Sequence, residues 1–164
     1  MSLMQFCPNC WTENPFEART CERCGAELSE TEMISSDQQL MQALHHPVPE
    51  TREMAAIILG LRHDQQAVSV LMVRLQEEKD IEVLCAISKS LGQLGDCRAV
   101  VSLLQCLTQP CVLTVALTIV DALATLARSG CKEAWNALKT PLPVSERVAQ
   151  EITTRLEAVE RLYF

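Results

Sequence analysis

The sequence predicts an all-α fold, a short right-handed α-solenoid of stacked helix pairs preceded by a small N-terminal metal-binding module. Three observations support this prediction. Apolar residues make up 48% of the 164-residue chain but aromatic residues only 4%, a balance that favours packed helices over a β-sandwich. Four cysteines lie close together near the N-terminus. The central part of the chain repeats itself at a fixed spacing, which indicates a solenoid.

The N-terminal cysteines form two Cys-x-x-Cys pairs, Cys7 with Cys10 and Cys21 with Cys24. Each pair lets two sulfurs converge on one ion, and two pairs supply the tetrahedral four-sulfur shell that structural Zn²⁺ prefers. Iron bound as in rubredoxin uses the same four ligands and is the less favoured occupant. Because a full shell leaves no open position for water or substrate, we expect a structural metal rather than a catalytic one.

The segment around these cysteines resembles the short zinc-ribbon module found at the N-termini of many bacterial and archaeal proteins. The matching positions are Cys7, Pro8, Cys10, Asn14, Pro15, Ala18, Arg19, Cys21, Cys24, Gly25 and Leu28. The ribbon pattern usually has glycine after both pairs, where the backbone turns left-handed. Gly25 fits this pattern, whereas Trp11 departs from it and predicts a different turn. The Trp11 side chain has two interpretations: packing over the metal, or an exposed anchor for a partner.

From residue 37 onward the sequence repeats. An offset of 32 positions superimposes identical residues at Leu59/Leu91, Gly60/Gly92, Asp64/Asp96, Ala67/Ala99, Val68/Val100, Leu71/Leu103 and Leu75/Leu107. A third, degenerate copy has a second half that arrives three residues late and places Ala134 under Ala99. Each unit predicts a helix that ends at the glycine and a second helix that the aspartate caps.

This pattern resembles the short HEAT-like repeats of the phycobilin-lyase type over about residues 50–140. The resemblance implies an α-solenoid in which neighbouring helix pairs share one core, and it leaves the function open. We therefore expect a zinc ribbon at 1–28, an acidic linker at 29–36 and a repeat domain at 37–164. Helices at 37–46 and 145–162 are expected to cap the two ends of the stack.

The expected function is that of an adaptor that holds a protein partner on the ridge formed by the second helices. The candidate contact residues, chosen from helical phase and from the ribbon, are Trp11, Gln65, Gln66, Ser69, Arg98, Ser102, Gln105 and Trp135. The net charge of −7 disfavours nucleic acid, because phosphate-binding surfaces are normally positive. The C-terminal helix either seals the last repeat or pairs with a second copy, so a monomer and a homodimer are both expected possibilities.

No catalytic residues are predicted, and the chain is not expected to be an enzyme. Deoxyhypusine hydroxylases, which belong to this repeat class, bind iron through His-Glu pairs, and no such pair occurs in the sequence. Two alternatives stay open. One is an enzyme subunit of the bilin-lyase type or a binder of a small molecule or chromophore; the weaker one is a nucleic-acid-associated ribbon protein.

The other five cysteines show no metal-ligand spacing: Cys85, Cys97, Cys106, Cys111 and Cys131. An odd total of nine cysteines without a recognisable export signal indicates a reducing, cytoplasmic compartment, so no disulfide is expected. Cys97 and Cys131 fall near helix starts, where redox activity stays an open question. The longest apolar run, from Val112 to Val120, is too short to span a bilayer.

Overall fold

The computed structural model describes residues 4–7, 9–15, 17–28 and 36–163 of the chain. Pro8 and positions 29–35 of the expected linker lie outside the described residues. The elements in chain order are β1 (Met4–Phe6), β2 (Glu13–Pro15), α1 (Ser36–Ala43), α2 (Pro49–Leu61), α3 (Ala67–Glu77), α4 (Ile81–Leu94), α5 (Ala99–Thr108), α6 (Leu113–Arg128), α7 (Lys132–Lys139) and α8 (Glu146–Tyr163). The described chain is therefore mostly helical.

A small hairpin forms the N-terminal part. β1 and β2 pair antiparallel, with Met4 opposite Pro15 and Phe6 opposite Glu13, and the turn between them carries the first Cys-x-x-Cys pair. A single bridge between Thr20 and Glu27 closes the second turn in the same way. Because a lone two-stranded hairpin is at best marginally stable, this part depends on whatever holds its cysteines together.

The helices form two layers. α2, α4, α6 and α8 lie side by side in one layer, which we call the first layer, and α3 packs beside α5 in the second layer. α1 packs against α2, while α7 packs against α6 and α8. The chain thus builds a stack of helix pairs, which confirms the predicted α-solenoid. Within the described residues, no helix combines the length and apolar character needed to cross a bilayer.

One continuous core runs between the layers. Its large, fully buried side chains come mainly from the repeated apolar stripe and include Leu59, Leu71, Leu75, Ile87, Leu91, Leu103, Ile119 and Leu123. No helix pair buries this surface alone, so each repeat is stabilised by its neighbours. At the C-terminal end, α8 buries Val148, Ile152 and Val159 in the same core. This packing agrees with the first of the two expectations for the C-terminal helix, that it covers the apolar face of the last repeat.

The two repeat glycines do not end their helices, contrary to the prediction. Gly60 and Gly92 lie inside α2 and α4, and α4 ends instead at Gly95, where φ is 73°. A Cβ on Gly92 would lie 2.9 Å from the Cα of Ala122 in α6, and one on Gly60 would lie 2.7 Å from the Cβ of Ser90 in α4. Glycine recurs because neighbouring first-layer helices approach each other closely at these points.

The repeat aspartates stabilise the turns that lead into the second helices. Asp64 Oδ1 accepts a hydrogen bond from the backbone N–H of Gln66, and Asp96 Oδ1 accepts one from the backbone N–H of Arg98, both at 2.9 Å. The predicted capping role is therefore wrong: the N-cap residues of α3 and α5 are Gln66 and Arg98, and neither helix receives a side-chain cap. The aspartates instead stabilise the turn before each helix.

Candidate functional site

The four N-terminal cysteines converge to a cluster that could hold a metal ion. Their sulfur atoms all lie within 4.8 Å of one another. Cys7 Sγ is 3.6 Å from Cys24 Sγ, and Cys10 Sγ is 3.5 Å from Cys21 Sγ. A tetrahedral ion with metal–sulfur bonds of roughly 2.3 Å holds its sulfurs about 3.8 Å apart. The cluster therefore has the size that a four-coordinate ion requires.

The two turns that carry the cysteines are near copies of each other. The backbone N–H of Trp11 donates to Cys7 O at 2.8 Å, and that of Gly25 donates to Cys21 O at 2.9 Å. Both residues have a positive φ, 57° at Trp11 and 71° at Gly25. The prediction of a different turn at Trp11 is therefore wrong. The first turn adopts the same left-handed conformation, although this costs a non-glycine residue about 1–2 kcal/mol.

Polar groups surround two of the sulfurs. The backbone N–H of Asn9 lies 3.4 Å from Cys7 Sγ, and Nδ2 of Asn14 lies 3.7 Å from Cys21 Sγ. Asn14 is fully buried, and its Oδ1 accepts a hydrogen bond from the backbone N–H of Glu22 at 3.0 Å. Partners of this kind orient metal ligands and favour their deprotonated form.

The thiols differ in how readily they ionise. Burial raises the pKa of Cys7 to about 11. Burial acts in the same direction on Cys21, but the backbone N–H groups of Cys24 and Arg23, together with neighbouring thiols, outweigh it and lower the pKa to about 6. Chiefly through the backbone N–H of Ala26, the pKa of Cys24 is also lowered. Cys21 and Cys24 thus supply thiolates more readily than Cys7, and a bound cation would favour deprotonation of Cys7.

Trp11 contacts the repeat domain. Its ring meets the imidazole of His46 edge to face, with ring centroids 4.6 Å apart and 68° between the planes. Trp11 is half-buried, and its Nε1 is enclosed without a hydrogen-bond acceptor among the described residues. His46 is itself held, because its Nδ1 accepts a hydrogen bond from the backbone N–H of Val48 at 3.1 Å. Trp11 therefore connects the cysteine module to the loop between α1 and α2, a contact that neither interpretation of this residue included.

Several of the contact residues expected on the second helices face solvent. Gln66, Ser69 and Gln105 have exposed side chains. Gln65 is also exposed, but its Nε2 donates to the backbone oxygen of Leu94 at 2.7 Å. Gln65 therefore links the loop before α3 to the end of α4, and its amide N–H is already used in a hydrogen bond within the chain.

Ser102 does not belong to the exposed surface, and its assignment as a contact residue is corrected. Its side chain is buried, and its backbone oxygen accepts a hydrogen bond from Nε2 of Gln76 at 2.8 Å. Helical phase alone gave the wrong face, because the packing of α3 against α5 covers this edge of α5.

Arg98 and Trp135 are engaged by neighbours in their own segments. Arg98 is exposed, but its Nη2 lies 2.6 Å from Oδ2 of Asp96. Trp135 is half-buried, with Nζ of Lys139 4.3 Å from the centroid of its ring. A partner that contacts Arg98 or Trp135 would therefore also meet Asp96 or Lys139.

Two exposed valines, which are not among the predicted contact residues, complete the surface. Val73 in α3 and Val101 in α5 are 55% and 61% exposed. Val101 occupies the repeat position of Ser69, and Gln105 occupies that of Val73. Because α3 and α5 pack side by side, these four side chains share one face, which we call the valine face. Valines that fall outside the repeated apolar stripe were the signal in the sequence.

This part of the surface carries almost no charge. The exposed residues of α3 and α5, two helices that the structure describes in full, are Ser69, Val73, Gln76, Glu77, Val101, Gln105 and Thr108. Only Glu77 among them is ionisable. Uncharged side chains lose less solvation free energy than charged ones when a protein covers them, so this surface is suited to a protein interface.

A disulfide bond joins Cys97 to Cys131, which overturns the expectation that none forms. The two Cα atoms are 5.7 Å apart, within the usual range for a disulfide. Stacking of the repeats brings the loop after α4 beside the loop after α6. Oε2 of Glu133 lies 3.4 Å from Cys131 Sγ, so the three groups are also close enough to be metal ligands. With the sulfurs bonded to each other, however, neither cysteine is a thiolate.

The fold and the cysteine cluster define an α-solenoid repeat protein with a candidate metal centre at its N-terminal end. The family model for HEAT repeats matches residues 38–124, more than half of the chain. The chain therefore belongs to the HEAT-repeat family. No curated protein matches it. Solenoids of this kind present extended binding surfaces and commonly act as scaffolds for protein interaction.

Proposed function

We propose that this chain is an adaptor in which the HEAT-repeat solenoid holds a protein partner and a zinc ribbon assists recognition. The observation that carries the proposal is the valine face, formed by Ser69, Val73, Val101 and Gln105. Exposed valines on the second-layer helices do not contribute to the core of the stack. Their presence there is explained if another protein covers them.

The energetics of the valine face suit a protein partner. Covering an exposed valine side chain contributes roughly 1–2 kcal/mol. The serine and glutamine side chains beside it can exchange hydrogen bonds with water for hydrogen bonds with a partner. Because packed helices fix the backbone of the face, little conformational entropy is lost when the partner binds. A nucleic-acid partner is not favoured, since the net charge is −7 and these two helices offer no positive stripe.

We assign zinc to the four sulfurs of Cys7, Cys10, Cys21 and Cys24. The support is the ligand set, the tetrahedral size of the cluster and the hydrogen bonds to its sulfurs. With all four positions filled by protein ligands, the ion would stabilise the two turns rather than take part in catalysis. Through Trp11 and His46, the stabilised module would be positioned against the α1–α2 loop.

The test compares three forms of the full chain in affinity capture with quantitative mass spectrometry. The first is the wild type, and the second carries Val73→Glu and Val101→Glu. The third is a matched control with Met54→Glu and Leu61→Glu, two exposed apolar residues of α2. We expect specific proteins to be retained by the wild type and the control and to be lost at least tenfold from the valine-face variant. Identical retention by all three forms would contradict the proposal.

A further inference from the structure

The third repeat has a cysteine where the first two repeats have an aspartate. Asp64, Asp96 and Cys131 each lie three residues before the repeat alanine at or near the start of α3, α5 and α7, respectively. The two aspartates accept backbone N–H groups, whereas α7 receives no side-chain cap from Cys131. The third repeat therefore lacks the aspartate that stabilises this turn in the first two repeats, and it places a thiol in the loop after α6 instead.

In the first repeat, the residue equivalent to Cys97 forms a hydrogen bond to the neighbouring repeat. This residue is Gln65, 32 positions before Cys97, and its side chain donates to the backbone oxygen of Leu94 at the end of the next first-layer helix. Cys97 connects its own loop to the following loop by the bond to Cys131. The first and second repeats are therefore linked by a hydrogen bond from this position, whereas the second and third repeats are linked from the same position by a covalent bond.

The two sulfurs differ in access. Cys131 is buried, whereas Cys97 is only half-buried and is followed by the exposed Arg98. The loops that carry the two cysteines each contain a glycine with positive φ, Gly95 and Gly130. Because Cys97 is the more exposed of the two residues, we expect a thiolate from solution to attack Cys97 Sγ rather than Cys131 Sγ.

We propose that Cys97 and Cys131 form a reversible thiol–disulfide switch that small thiols and disulfides of the glutathione class open and close. In opening, a glutathione thiolate attacks Cys97 Sγ, and Cys131 leaves as a thiolate that takes up a proton beside Glu133. A second glutathione thiolate then attacks the mixed disulfide and releases the Cys97 thiolate. In total, the protein disulfide and two glutathione thiols become a protein dithiol and one glutathione disulfide, a two-electron exchange. Closing is the reverse reaction.

The test follows the bond itself in the full chain. Trypsin releases Cys97 alone in the fragment 90–98 and Cys131 alone in the fragment 129–132, while Cys106 and Cys111 stay together in 99–128. The protein is equilibrated in buffers with different ratios of reduced to oxidised glutathione, quenched with acid, alkylated and digested. We expect the linked pair 90–98/129–132 to dominate in excess glutathione disulfide. It should fall at least tenfold in excess glutathione, with the far-UV circular dichroism unchanged.

Three results would overturn the proposal. The linked pair could fail to form at any ratio, or it could persist in the folded protein against excess glutathione. Alternatively, added Zn²⁺ could protect both thiols of the reduced chain from alkylation, which would make the group of Cys97, Cys131 and Glu133 a metal site.

Two variants, each of which leaves one cysteine of the pair, test which sulfur reacts with glutathione. The replacement residues are chosen to suit the turn or the repeat position that they occupy. Cys131→Asn offers a capping side chain without adding charge beside Glu133, and Cys97→Gln restores the residue of the first repeat. With glutathione disulfide as the reagent, which releases one glutathione thiolate for each mixed disulfide formed, we expect Cys97 in Cys131→Asn to be glutathionylated at least tenfold faster than Cys131 in Cys97→Gln. Equal rates would contradict attack at Cys97. Cys111→Ser, which alters an exposed cysteine outside the pair, should leave the switch unchanged.

Discussion

Arg52 and Glu78 form a two-point ion pair that connects the first turn of α2 to the end of α3. Arg52 Nε lies 2.8 Å from Oε2 of Glu78, and Arg52 Nη2 lies 2.9 Å from Oε1. Glu78 also accepts hydrogen bonds from Arg74 Nη2 and from the backbone N–H groups of Lys79 and Asp80. Its side chain is only 4% exposed, so its charge is stabilised by these partners rather than by water.

The first prediction concerns acid. Burial acts to raise the pKa of Glu78, but the hydrogen bond from Arg52 and those from Asp80 and Lys79 outweigh it and lower the pKa from 4.5 to about 2. Because the folded pKa lies below the unfolded value, the stabilisation is complete above about pH 4.5 and is lost as the pH falls towards 2. Over that window, the free energy of unfolding attributable to Glu78 should fall by up to about 3 kcal/mol.

Urea unfolding at a series of pH values measures this effect. The stability gap between the wild type and Glu78→Gln should narrow as the pH is lowered. Glu77→Gln is the matched control, because the Glu77 carboxylate is 56% exposed and its neutralisation should change stability by less than about 0.5 kcal/mol. A gap that stays constant between pH 5 and pH 2.5 would contradict the role of Glu78.

The second prediction concerns the close approach of α4 and α6. In Gly92→Ala the new Cβ meets the backbone of Ala122, with 2.9 Å to its Cα and 3.3 Å to its oxygen, so no side-chain rotation relieves the contact. We expect a loss of about 1–3 kcal/mol in the free energy of unfolding, even though alanine is the better helix former. Lys89→Ala, at an exposed position of the same helix, is the control and should be close to neutral. A Gly92→Ala variant as stable as the wild type would mean that the two helices are farther apart.

The third prediction concerns the metal. Cys21→Ser should lose stoichiometric zinc, measured by elemental analysis after gel filtration, and the N-terminal turns should unfold. Far-UV circular dichroism should change little, because every described helix lies within 36–163. Cys85→Ser, which alters a free thiol inside α4, should retain one zinc ion per chain. A collapse of the helical signal in Cys21→Ser would show that the metal site and the solenoid form one cooperative unit.

Features that depend on the spacing of residues along the chain could be predicted from the sequence, whereas contacts between separate helices could not. The apolar stripe around Leu71 and Leu103 repeats at the period of a helix pair, so the core and the solenoid were readable from spacing. The spacing of four cysteines likewise fixed a possible metal shell. The role of Gly92 was not readable, because a glycine near the end of a helix and a glycine at a helix crossing have the same sequence signature.

The Cys97–Cys131 bond and the Trp11–His46 contact depend on how distant segments stack. The disulfide joins residues 34 positions apart, because the third repeat is shifted by three residues and the two cysteines occupy adjacent rather than equivalent repeat positions. Its sequence signal is the replacement of the repeat aspartate by Cys131. For Trp11 the only signal was a tryptophan at a glycine position, which does not indicate a partner.

The last prediction tests whether Trp11 and His46 hold the metal module against the solenoid. In a Trp135→Phe background Trp11 is the remaining tryptophan, so its fluorescence reports on this contact alone. His46→Ala removes the ring that lies 4.6 Å away, and we expect the Trp11 emission to shift to longer wavelength as water reaches the indole. Chelation of the metal should produce the same shift, and chelation of His46→Ala should add little to it. His45→Ala, an exposed neighbour, is the control; an equal shift there, or additive shifts from chelation and His46→Ala, would contradict a shared contact.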